Sequence, residues 1–126
     1  MKYEINDETL AILPFDKDKA RVLEESDEYI VDEIPYSIME DSCKYFGSSF
    51  EGRILGSKNI LGSVYKAPII VEESQNLIFF PTEALSSNTV SWISYKKIKS
   101  DEKCGKRSKI IFNNGESIIA NCPYFS

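Results

Sequence analysis

The chain contains no histidine, and among its 126 residues there are only three cysteines, two methionines and one tryptophan. Without an imidazole it lacks the side chain that ordinarily titrates near neutral pH, which excludes Ser-His-Asp and Cys-His catalysis and removes the commonest metal ligand. Cys43, Cys104 and Cys122 are widely spaced, odd in number and form no Cys-x-x-Cys pair, so neither a zinc site nor a thioredoxin-like motif is expected. They read as free thiols in a reducing cytoplasm, with no metal and no cofactor implied. Long apolar runs are missing as well. Runs such as Leu77 to Phe80 fall far short of the roughly 20 residues that cross a bilayer, and Met1-Lys2-Tyr3-Glu4 lacks the apolar stretch of a signal peptide. The expectation is a soluble, cytoplasmic protein that is not an enzyme of the familiar hydrolytic kinds and makes no membrane contact.

What is present is the makeup of one compact domain over residues 1–126: 42% hydrophobic and 28% charged residues, with five prolines and six glycines. A chain of this length buries about two thirds of its unfolded surface and needs no staple to fold. Period-two patterning predicts short strands around Leu10 and Ile12, from Ala20 to Leu23 and from Tyr29 to Val31. After Pro35 the period changes, and Met39, Cys43 and Phe46 fall at i, i+4 and i+7 on one face of a helix ending at Gly47. Ser48 with Glu51 is a capping-box pattern that starts a second helix near Ser49, although Gly52, Gly56 and Gly62 oppose it. Ile69 to Val71 and Leu77 to Phe80 are continuous apolar runs, as in strands covered on both faces. A strand is expected from Val90 to Lys99, and a hairpin joins Ser108–Phe112 to Glu116–Ala120 through Asn113-Asn114-Gly115, whose Asn-Gly pair suits two positive φ values. The fold class so predicted is α+β: mostly antiparallel strands with two central helices inserted, in a single domain.

Charge divides the chain. The net charge of -5 is the sum of -9 over residues 1–41 and +4 over residues 42–126, an asymmetry that points to a polyanion partner for the second part. The densest basic window is Lys96, Lys97, Lys99, Lys103, Lys106, Arg107 and Lys109, opposed only by Asp101 and Glu102. If Trp92 and Ile98 face the core, alternation puts Lys97 and Lys99 on the opposite face, where they either contact phosphates or protect a strand edge. The second candidate is the start of the predicted second helix. Free N–H groups of Ser49, Phe50 and Glu51, just after Ser48, make a phosphate seat, Arg53 and Lys58 lie alongside, and Gly52 and Gly56 allow close backbone approach. The capping box accounts for Ser48 and Glu51 without any ligand, so both readings stay open there.

The run Asp41-Ser42-Cys43-Lys44-Tyr45-Phe46-Gly47-Ser48-Ser49-Phe50-Glu51-Gly52-Arg53 resembles the central signature of the ComK family of competence transcription factors. Lys66-Ala67-Pro68-Ile69-Ile70-Val71, Ile78-Phe79-Phe80-Pro81-Thr82, Trp92-Ile93-Ser94 and Phe112-Asn113-Asn114-Gly115 agree with it in order and spacing. The resemblance implies a DNA-binding activator of DNA-uptake genes that recognises paired A/T-rich boxes of double-stranded DNA, largely through the minor groove, as a homo-oligomer. Within the matched signature, Arg53 is the first choice for insertion into a narrow, negative A·T groove. Full-length relatives are expected to continue past Pro123-Tyr124-Phe125-Ser126 into a largely helical segment where adaptor and protease machinery engages. The alternative function is a truncated interaction module that pairs with a relative or another partner and modulates it without binding DNA.

Overall fold

The computed structural model describes residues 3–45, 69–72, 74, 76–82 and 90–120. Nine strands and one α-helix lie among them: β1 (Thr9–Pro14), β2 (Ala20–Glu24), β3 (Glu28–Val31), α1 (Pro35–Tyr45), β4 (Ile69–Glu72), β5 (Leu77–Pro81), β6 (Trp92–Ser94), β7 (Ile98–Cys104), β8 (Arg107–Phe112) and β9 (Ser117–Ala120). Every pairing is antiparallel. Six strands form one sheet in the order β3-β2-β1-β6-β5-β4, and β7-β8-β9 form a second.

The central strands of the large sheet are covered on both sides, which explains their apolar sequence. On one face Ile12, Val22, Val31, Ile69, Val71, Leu77, Phe79 and Trp92 pack with Ile38, Met39 and Cys43 of α1. On the other, Leu10, Ala11, Leu23, Phe80 and Ile93 meet Ile110, Phe112 and Ala120 of the small sheet. Strand alternation sorts most of these residues. A register shift between Thr9 and Ala11 acts as a bulge that turns both Leu10 and its neighbour Ala11 toward the small sheet.

Helix α1 begins at Pro35, whose missing N–H costs nothing in a first turn. Met39 and Cys43 are fully buried as the helical spacing predicts, and Lys44 pairs with Glu40 one turn earlier at 3.7 Å.

Three expectations are corrected. First, the described residues carry one helix, not two central ones, and the fold is strand-dominated: α1 covers one face of the large sheet and the small sheet, not a helix, covers the other. The second predicted helix, from Ser49, lies outside the described residues. Second, Val90 to Lys99 is not a single strand. A short 3-10 turn at Tyr95–Lys97 separates β6 from β7 and resets the alternation, so Trp92 faces the helix-side core while Ile98 packs on the opposite one. Third, the Asn113-Asn114-Gly115 turn has positive φ only at Gly115, 92°. Gly115 N–H bonds Phe112 C=O at 3.0 Å and Phe112 N–H bonds Glu116 C=O at 2.8 Å, a tight turn closed by a glycine bulge rather than a two-residue mirror-image turn.

Candidate nucleic-acid interface

The basic window folds as a ribbon. Strands β7 and β8 pair from Ile98↔Phe112 to Cys104↔Arg107 and are joined by Gly105 and Lys106. Only Gly105 of that pair has positive φ, 65°, the type II′ pattern that suits the natural twist of a hairpin. The glycine therefore sets the tip, and it places Lys103, Lys106 and Arg107 around it.

The root of the ribbon is held by acidic loops. The Lys97 ammonium lies 2.6 Å from Glu25 Oε1 and is only 11% exposed. Asn114 Nδ2 donates to the Glu25 carbonyl at 3.0 Å, and Asn113 N–H donates to the Lys97 carbonyl at 2.9 Å. Lys96 donates to Asp7, whose carboxyl is held below its ordinary value by that hydrogen bond and the lysine charge. Nearby, Asp27 and then burial raise the Tyr29 phenol above its usual value, a mark of the negative field of these loops.

The lysine and arginine side chains of the window are thus of two kinds. Lys96 and Lys97 face carboxylates contributed by the first part of the chain. Lys99, Lys103, Lys106 and Arg107 are exposed and lie within 4.0 Å of no carboxylate among the described residues. Lys109 stands opposite Glu102 in the register. Lys99 occupies the register shift between Ile98 and Ser100, a bulge that points it outward. Alternation puts Lys97 and Lys99 together on an open strand face; instead the 3-10 turn buries Lys97 and only Lys99 is open. Ser48, Ser49, Gly52, Arg53 and Lys58 lie outside the described residues.

The Lys97–Glu25 pair is asymmetric, since Glu25 keeps 41% of its side-chain exposure. Glu25→Gln leaves a nearly buried ammonium without its counter-charge and is expected to cost about 1–3 kcal/mol, whereas Lys97→Met leaves a hydrated carboxylate and costs about 0–1 kcal/mol. Urea denaturation of the two variants at pH 7 checks the order.

Among the described residues no group of three or more His, Cys, Asp or Glu side chains is placed to hold a metal, and no helix is long and apolar enough to cross a membrane. Fold and surface together define a strand-rich domain with a basic hairpin. The chain matches the ComK protein family over residues 1–122 and belongs to it. It is 30% identical over 128 residues to a competence transcription factor of Bacillus subtilis (strain 168), an alignment that covers 98% of this chain and 67% of that protein. No solved structure matches the chain.

Proposed function

We propose that the chain is a DNA-binding transcriptional regulator of competence, acting in the cytoplasm on A/T-rich boxes. Its membership of the ComK family and its likeness to a competence transcription factor support the regulatory role. The observation that carries DNA as the ligand is the set of exposed cations Lys99, Lys103, Lys106 and Arg107, held apart from the acidic loops that occupy Lys96 and Lys97. Phosphate contacts of this kind give affinity and register without reading sequence.

Preference for A/T-rich boxes falls to side chains entering a narrow, strongly negative minor groove. Arg53 takes that role in this reading, with Ser48, Ser49, Gly52 and Lys58 beside it on the backbone and Lys99 on a phosphate. Lys97 reaches a phosphate only by exchanging Glu25 for it. Two boxes call for two subunits, so the bound form is a homo-oligomer.

Binding to a duplex with two A/T boxes is expected to fall steeply as salt rises, and to weaken when the boxes are replaced by G/C sequence. Arg53→Ala is expected to lose about 1–3 kcal/mol on the A/T duplex and less on the G/C one. Fluorescence anisotropy over a salt series measures both, and the absence of any binding at low salt overturns the proposal.

A further inference from the structure

The ribbon tip is a feature that neither the core nor the acidic loops explain. A strand packed on a core alternates buried and exposed residues, and β8 does so from Ser108 to Phe112. From Glu102 to Arg107 the alternation stops, and six consecutive residues are exposed across both strands and the turn. Ser108, opposite Lys103, is still buried, so the part with both faces in solvent is the Cys104–Arg107 pair and the Gly105–Lys106 turn that closes it. Three of the six, Lys103, Lys106 and Arg107, are cationic, and Glu102 lies across from Lys109.

We infer that the free end of the β7–β8 hairpin is a DNA-contacting arm, with Lys106 and Arg107 at the mouth of a groove and Lys103 and Lys109 on the phosphates that border it. The assignment rests on the DNA-binding reading above and adds a contacting element separate from the segment that holds Arg53.

Dimensions suit this arrangement. Beyond the buried Ser108 the free end is the Cys104–Arg107 pair and the Gly105–Lys106 turn, a reach of about 7 Å at about 3.3 Å per residue, to which the lysine and arginine side chains add, against a groove depth of about 7.5–8.5 Å. Two strands about 4.8 Å apart, with side chains on both faces, are too broad for a minor groove about 6 Å wide. At an A/T box the side chains of the tip, not its backbone, enter, while the ribbon straddles the phosphates.

Electrostatics suits it too. The acidic residues that hold the ribbon, Asp7 and Glu25, act at the root beside Lys96 and Lys97. The length of β7 places the tip about 20 Å away, beyond the screening length of about 8 Å at physiological salt. On β7 itself Asp101 and Glu102 are the carboxylates, with Lys109 opposite Glu102, so the three cations Lys103, Lys106 and Arg107 leave the tip net positive although the chain as a whole is negative. A protein with an overall charge of -5 can present its cationic arm first to a polyanion.

The arm is tested with the triple variant Lys103→Ala, Lys106→Ala, Arg107→Ala in the full chain. A control, Lys17→Ala, Lys19→Ala, Lys44→Ala, removes the same charge elsewhere. All six side chains lie at least partly in solvent, and circular dichroism confirms that both variants stay folded. The triple variant is expected to flatten the slope of log affinity against log salt by about 2–3, and to bind the A/T duplex about a hundredfold or more weaker at 0.1 M salt. The control leaves the slope unchanged.

A second measurement uses the exposed thiol of Cys104. An iron-chelate cleaving reagent attached there, in a Cys122→Ser background, is expected to cut the duplex beside the A/T boxes, and the same reagent on Ser26→Cys, near the root, in a Cys104→Ser, Cys122→Ser background, is not. If the unaltered protein binds no duplex, the DNA-binding reading fails and the arm with it. If it binds and the triple variant or the control gives the same slope as the other, or Cys104 directs no cleavage, the arm assignment alone is wrong.

Discussion

Phe112→Ala is expected to destabilise the protein by about 3–5 kcal/mol, the cost of emptying a buried phenylalanine site, which lowers the midpoint of thermal unfolding by roughly 10–20 °C. Phe112 has no exposed surface and lies at the end of β8, opposite Ile98. It packs in the same core cluster as Leu10, Phe80 and Ile93 of the large sheet. Its own N–H and C=O also close the turn into β9. One side chain therefore joins the two sheets and seats the hairpin that carries the basic arm. The loss is local before it is global, because the small sheet contributes few large residues to that core. Hydrogen exchange on Phe112→Ala is expected to show amides of β7, β8 and β9 opening well before those of β1, β2 and β6. Phe15→Ala, at a residue 55% exposed, is expected to change stability by less than about 0.5 kcal/mol. Equal effects from the two variants, or uniform loss of protection, would show that Phe112 is not the joint.

Much of this architecture is legible in sequence where the physics is local. Ile69 to Val71 and Leu77 to Phe80 read as strands because their apolar runs are unbroken, but coverage on both faces is only partial. Ile69, Val71, Leu77 and Phe79 pack on the helix side, Phe80 alone of these reaches the small sheet, and Ile70 and Ile78 stay half-buried. Met39 and Cys43 read as buried because helical spacing alone decides it. The Gly105–Lys106 turn is not picked out because its signal, one glycine amid lysines, is weak against the charged run around it. Lys97 reads as an open strand residue because its partner, Glu25, is 72 residues away, and no local pattern reports a contact of that range. The charge division reads off directly as -9 and +4. Pairing does not, and it separates Lys96 and Lys97 from the cations left at the tip. For Arg53 and its neighbours, signature and chemistry carry the reading, since those residues lie outside the described ones.

The acidic first third of the chain has a structural role that the second large effect exposes. Glu24 is buried, and its Oε2 accepts hydrogen bonds from the Tyr3 hydroxyl at 2.5 Å and from Asn6 Nδ2 at 3.2 Å. The Tyr3 oxygen lies 2.6 Å from Thr9 Oγ1. A phenol has one proton, so if Tyr3 donates to the carboxylate, Thr9 donates to Tyr3. Tyr3→Phe leaves a buried carboxylate and a buried hydroxyl each short of a partner, at an expected cost of about 1.5–3 kcal/mol at pH 7. Glu24→Gln should cost less, since an amide oxygen still accepts from Tyr3. The same contact gives an alkaline signature. Burial first, and then the hydrogen bond and charge of Glu24, raise the Tyr3 phenol far above its ordinary value of 10.0. The folded state thus keeps a proton that the unfolded chain releases, so this contribution is intact below about pH 10 and is lost as pH rises above it. The slope is about 1.4 kcal/mol per pH unit. The quantity to measure is the difference between the unaltered protein and Tyr3→Phe, which isolates this one group. That difference in unfolding free energy, from urea titrations at pH 8 to 11, should shrink above pH 10. A constant difference would mean that Tyr3 does not hold its proton in the folded state.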